Sequence, residues 1–276
     1  MPSLVFEACR LLFRYYKFVF TKVTILLLIL GSALPVGAEQ LIERETVNSS
    51  WGLGLGVYSE QKAYIDVERK NLGVPVLTFE NQYIRLAGPE LRLRLPSYEI
   101  SNFNRLDFSL IGRVGINNYD ESDTWILEGM EDRKGGFWAG AGVKWKSRLA
   151  NISAEFLSEV AGDSEGLRFN LGIEKTWHFA KKYTFSPRVE IEWHDDNYVD
   201  YYYGVQANEV NADRALYKGE AAINMEVGAR VGYMFSQNKL LILDFSVTSL
   251  AKEIKNSPLI GRSAENNVFF GYIYKF

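Results

Sequence analysis

Residues 221–235 read A-A-I-N-M-E-V-G-A-R-V-G-Y-M-F. Ala221, Ile223, Met225, Val227, Ala229, Val231, Tyr233 and Phe235 alternate with Ala222, Asn224, Glu226, Gly228, Arg230, Gly232 and Met234. Side chains on a strand point to opposite faces in turn, so this stretch has one apolar face and one polar or glycine face. A soluble strand typically runs five or six residues, whereas a tilted strand crosses a bilayer in about 9–11. The length of the alternation points to a membrane-spanning strand.

The pattern recurs along the chain. Tyr183, Phe185, Pro187, Val189, Ile191 and Trp193 oppose Ser186, Arg188, Glu190, Glu192 and His194. Leu167, Phe169, Leu171 and Ile173 oppose Arg168, Asn170, Gly172 and Glu174. Residues 105–114, 137–146 and 241–248 alternate in the same way. Apolar outer faces with aromatics near their ends, opposite polar inner faces, are the pattern of an outer-membrane barrel. Apart from an N-terminal segment, no run of apolar residues is long enough for a membrane helix, so a membrane-embedded chain of this kind must close as a barrel. The expected fold class is an all-β, antiparallel transmembrane β-barrel of about 12 strands. Ten is the alternative count, because residues 83–88 and 91–95 are short for a span. Short and long connections alternate, which sets both termini on the periplasmic side.

Residues 1–38 resemble a cleaved secretory signal peptide. Arg10, Arg14, Lys17 and Lys22 precede the apolar run 23–30, and V-G-A at 36–38 gives a small-x-small site. An uncleaved anchor is the alternative. Residues 39–276 then form the barrel domain. The single cysteine, Cys9, falls in the leader, so the barrel carries no thiol or disulfide chemistry. Losing the leader removes four basic residues and one acidic one and moves the formal charge from −3 to −6. No basic patch with interleaved aromatics stands out, and nucleic acid is not an expected partner.

The chain ends N-N-V-F-F-G-Y-I-Y-K-F at 266–276. Phe270, Tyr272, Tyr274 and Phe276 share one face of an alternating strand. A barrel has no free edge, so this strand must pair with the first. An alternating strand that ends in Phe also resembles the signal read by the barrel-insertion machinery.

Residues 194–205 read H-D-D-N-Y-V-D-Y-Y-Y-G-V. Asp195, Asp196, Tyr198, Asp200, Tyr202, Tyr203, Gly204 and Val205 resemble the most recognisable segment of the MltA-interacting protein/OmpV family. The W-G-L-G-L-G-V-Y opening at 51–58 and the G-Y-I-Y-K-F ending also resemble it. Residues 59–62, S-E-Q-K, depart from the turn the family usually carries there. The resemblance implies an outer-membrane protein in contact with membrane lipid. It further implies a scaffolding role that links a periplasmic murein hydrolase to a peptidoglycan synthase. It brings no catalytic residues and no cofactor.

Other motifs have plain readings. In G-x-G-x-G at Gly52, Gly54 and Gly56 the strand runs through the glycines, so they suit close strand approach rather than a phosphate loop. His194, Asp195 and Asp196 are consecutive and converge poorly for acid–base or metal chemistry. The expected role of Asp195, Asp196, Tyr198 and Asp200 is in turn hydrogen bonds and loop docking. An enzyme is therefore not expected; a hydrolase would need His194 and a group from another loop. The expected lumen charges include Arg168, Arg188, Arg230, Glu174, Glu190, Glu192, Glu226 and Asp244. With Arg105, Arg113, Lys144, Lys146, Lys275, Asp107, Glu155 and Glu159 they make eight of each sign. That balance suits a lumen crossed by ion pairs and a structural barrel. A narrow channel for small solutes or ions, gated by loops 117–135 and 195–220, is the alternative.

Overall fold

The alternating segments become long antiparallel strands in the computed structural model, which describes residues 49–101, 104–116 and 118–276. The proposed leader and the start of the mature chain lie outside the described residues. The strands are β1 (Ser50–Gln61), β2 (Lys70–Glu80), β3 (Ile84–Ala87), β4 (Glu90–Arg94), β5 (Tyr98–Ser101), β6 (Asn104–Val114) and β7 (Phe137–Lys146). They continue as β8 (Asn151–Glu159), β9 (Leu167–Glu174), β10 (Trp177–Phe179), β11 (Tyr183–His194), β12 (Ala222–Ser236), β13 (Lys239–Ser249) and β14 (Ala264–Lys275). Helix α1 is Asp196–Tyr203 and α2 is Lys252–Lys255.

Twelve of these strands form a closed antiparallel barrel. β14 pairs with β1 from Gly52↔Lys275 to Gln61↔Asn266, and Phe276 N donates to Trp51 O at 2.8 Å. The last strand is thus held along its length. The doubtful pair of short segments is real: β3 and β4 form a tight hairpin with Gly88 at φ +57° in its turn. β5 and β10 continue the lines of β4 and β9 along β6 and β11. The second break has a simple cause. Lys175 N donates to Pro187 O, but Pro187 has no N–H to return, so the ladder lapses between Glu174 and Trp177.

The outer face is apolar and open. Leu55 is 73% exposed, and Val57, Ile223, Met225 and Phe270 are also exposed. So large an apolar band is a lipid-facing surface. Among the described residues no helix is long and apolar enough to cross a membrane. Aromatic pairs mark one rim: Trp51 with Phe79, Tyr183 with Tyr233, and Tyr274 with Phe276, at ring distances of 4.3, 4.7 and 5.1 Å. Most short connections lie at this rim, the turn end, while the tight β3–β4 turn points the other way. The long connections 62–69, 115–136, 195–221 and 250–263 lie at the other, the loop end.

The fully buried hydrophobic core sits mainly in the loops rather than between the strands. Tyr64, Leu127, Val199, Tyr203, Ile254 and Leu259 come from four different connections and pack into one cluster at the loop end.

Candidate functional site

The plug at the loop end is built around α1. Asp195 caps the helix, its Oδ1 accepting from Tyr198 N at 3.0 Å. Asp196, exposed in the first turn, adds a favourable charge at the helix N-terminus. The expected turn is corrected to a helix: Asp196–Tyr203 of the family motif winds into two helical turns. Tyr198, Val199, Tyr202 and Tyr203 fall at helical spacing on one stripe, and all four are buried.

Neighbouring loops complete the plug. The Tyr64 hydroxyl donates to Tyr202 O at 2.9 Å, and Ser257 Oγ donates to Tyr203 O at 2.6 Å. Asp200 accepts from Gly219 N at 2.7 Å and from Gln206 Nε2 at 2.9 Å, which folds residues 205–219 back onto the helix. A β-carbon at Gly219 would lie 2.3 Å from Asp200 N, so this return needs glycine. Gly204 ends α1, and Val205 is buried in a bridge to Tyr217.

One buried ion pair ties two loops. Arg133 Nη2 donates to both Glu209 oxygens, at 2.7 and 3.0 Å, and Arg133 Nε donates to Tyr201 O at 2.8 Å. Arg214 Nε donates to Glu209 O at 2.8 Å and Arg214 also reaches Ile126 O. Sequence reasoning missed these residues, because Arg133 and Glu209 are 76 positions apart and carry no local pattern. The motif helix did have a signal: an Asp cap followed by apolar positions at i+3, i+4, i+7 and i+8.

Burial alone would raise the Glu209 carboxyl, but hydrogen bonds from Gln206 N and Arg133 outweigh it and hold the group below its usual 4.5. A depressed folded value means that the stabilisation is present above the unfolded value and is lost as pH falls through the folded one. We expect amides in residues 205–217 to lose hydrogen-exchange protection in acid, after correction for intrinsic rates. Glu209→Gln should start less protected at neutral pH and respond less to acid.

The lumen beneath the plug carries two ion networks. Arg188 reaches Glu226 and Asp244, both at 3.0 Å, and Arg230 reaches Asp244 at 2.7 Å. Arg113 bridges Glu90 at 2.6 Å and Glu155 at 2.8 Å, and Arg92 binds the same two carboxylates. Gly142 stands in register between Ser109 and Glu155, so no side chain blocks the reach across β7. Glu174 lies 3.7 Å from Lys144. Arg168 instead sits over the rings of Trp138 and Tyr198, at 5.3 and 5.6 Å. Glu190 lies between Gly172 and Glu226, and Glu192 between Asn170 and Asn224. Neither meets a basic side chain at ion-pair distance among the described residues. Glu159, read as a lumen charge, accepts backbone N–H groups of Ala161, Gly162 and Asp163 and shapes the loop after β8.

His194 is 2% exposed and stacks on Tyr198 at 4.1 Å. Neither ring nitrogen has a hydrogen-bond partner among the described residues. Asp195 beside it is spent as the helix cap, so the three consecutive residues do not converge. The terminal aromatics Phe270, Tyr272, Tyr274 and Phe276 run along the lipid face of β14 toward the turn-end rim.

A family described as MltA-interacting protein MipA matches residues 53–276. The "24 kDa outer membrane protein" of Pasteurella multocida (strain Pm70) is 25% identical, covering 81% of this chain and 90% of that protein. The "MltA-interacting protein" of Escherichia coli (strain K12) is 22% identical, covering 82% and 90% respectively. Among solved structures, a NanC porin aligns over 81% of this chain and 100% of its own, with TM-score 0.41 and 9% identity. The chain is an outer-membrane barrel protein.

Proposed function

Starting from the MltA-interacting protein MipA family, to which this chain belongs, we propose that it is an occluded outer-membrane scaffold for a murein-cleaving enzyme. In this reading the turn end and both chain termini face the periplasm. The observation that carries the reading is the plug: four connections pack one buried core over the loop end, as expected of a barrel that is not a pore. The printed name of the Escherichia coli relative supports the class of partner. The short turns offer little docking surface, so residues 39–50 are the assigned contact.

The test is direct binding of the folded full chain, in non-ionic detergent, to a purified lytic transglycosylase. Saturable binding that weakens when residues 39–50 are deleted supports the assignment. No binding by the intact chain overturns it. The second reading, a narrow channel, draws on the half-exposed Arg230 and Lys144 side chains near the turn end. It requires the plug to open, and conductance of the intact chain in a planar bilayer decides it.

A further inference from the structure

The lumen wall is not polar all round. Across β2, β1, β14 and β13 the rung Val76↔Gly54↔Ile273↔Leu240 runs in register, followed by Val74↔Gly56↔Gly271↔Ile242. Ile242 has the parity of Asp244, which meets Arg188 inside the barrel, so both rungs face inward. The Phe269 ring lies over this sector: a β-carbon at Gly56 or Gly271 would fall 2.5 or 2.6 Å from it. This corrects the expectation that the inner faces carry only polar residues and glycine. Four adjacent strands present an apolar wall between the two ion networks.

The barrel wall is incomplete beside this sector. β2 pairs with β1 from Ser50↔Glu80 to Glu60↔Lys70, but with β3 only at Thr78, Phe79 and Glu80. Gly88 N donating to Leu77 O makes the last bond. Among the described residues, 70–76 pair with no strand on that side. Leu77 points its backbone toward β3, so Asn71, Gly73 and Pro75 share that direction. Pro75 has no N–H to leave unpaired there and resists pairing with a further strand. Leu72 belongs to the inward set with Val74 and Val76, yet is 54% exposed. Thus the apolar strip leads up to the opening.

A cation stands two inward rungs below this strip. Arg85 faces inward directly opposite Arg92. Arg92 is taken up by Glu90 and Glu155, and Glu80, in register with Arg85, is bound by Arg94. Arg85 itself is exposed and has no carboxylate at ion-pair distance among the described residues. Like charges opposite one another on a sheet repel, and an anion between them relieves this.

We propose that the lumen binds a single-chain amphiphile with an anionic head. The head sits at Arg85, in register with Glu80, and the chain rises past Thr78 to Val76 and toward Val74, roughly 13 and 20 Å above that rung at about 3.3 Å per residue. The gap beside β2 gives it lateral access to the bilayer. A lipid chain rather than a strand suits this gap, because Pro75 blunts the edge and the inner strip is apolar. The site goes beyond the scaffold reading and does not depend on it.

The test uses the full chain folded in non-ionic detergent, with heat-modifiable gel mobility confirming each variant. Radiolabelled dodecanoate should bind saturably, one per chain, and dodecyltrimethylammonium should compete poorly. Arg85→Glu should weaken dodecanoate binding about tenfold, the scale of one charge-assisted contact, and Arg85→Lys should restore most of it. Val74→Thr with Val76→Thr, a milder pair that keeps strand propensity, should also weaken it. Non-saturable uptake, or equal binding by wild type and all variants, overturns the site. A photo-crosslinker at Val76 should capture a dodecanoyl lipid. Capture of a second copy of the chain instead would mean that the edge is a protein interface and would overturn the proposal.

Discussion

Replacing residues 196–220 by a short flexible linker should turn a silent barrel into a conducting one. The intact chain in a planar bilayer should show no single-channel steps; the deleted chain should show discrete ones. The excised segment holds Tyr198, Val199, Tyr202 and Tyr203, all buried at the loop end. Burying one large apolar side chain contributes roughly 1.5–3 kcal/mol, so four of them keep the plug from opening by thermal motion alone. The segment also carries Glu209 and Arg214, which anchor Arg133 and the Ile126 region. The barrel should survive, because its strands pair with one another and not with the plug. Unchanged heat-modifiable mobility checks this. Silence after deletion, with the barrel intact, would mean that the lumen's own ion networks close the path.

Truncating the chain after Lys275, combined with Tyr274→Ala, should sharply reduce assembly in cells while leaving refolding in detergent micelles nearly unchanged. In the folded barrel Phe276 contributes one backbone bond to Trp51 O and an edge contact with Tyr274 at 5.1 Å. The other rungs from Gly52↔Lys275 to Gln61↔Asn266 are untouched in register. A stability role alone would therefore produce a small effect both in cells and in vitro. A recognition role would produce a large effect in cells only. Equal losses in both settings would remove the insertion-signal assignment.

Much of the barrel was legible because a strand in a bilayer wall meets two solvents. Lipid outside and a polar lumen inside impose period two on residues 222–236, and no helix satisfies that pattern. The closing pair was legible for a related reason: leaving the whole length of a terminal strand unpaired in lipid is costly, so β14 had to meet β1. The short β3–β4 hairpin was harder, because four or five residues carry too little alternation to tell a strand from a turn.

The plug was only half legible. Its motif stood out as a string of Asp and Tyr, but its helix form depends on a cap at Asp195 that competes with turn readings, and its burial depends on other loops. Arg133 and Glu209 look like ordinary loop charges until the fold brings them to 2.7 Å. The apolar sector was not read from the sequence, because Ile273, Ile242 and the pair Val74 and Val76 lie on three different strands and nothing local says that those strands are neighbours. Local alternation, then, determined the class of fold, the faces of most strands and the pairing of the chain's end. Tertiary structure alone decided that the loops cover one mouth, that the lumen has an apolar side, and that the wall stops short beside β2. Periodicity is a property of one strand, whereas a plug, a sector and a gap exist only once distant segments share a rung.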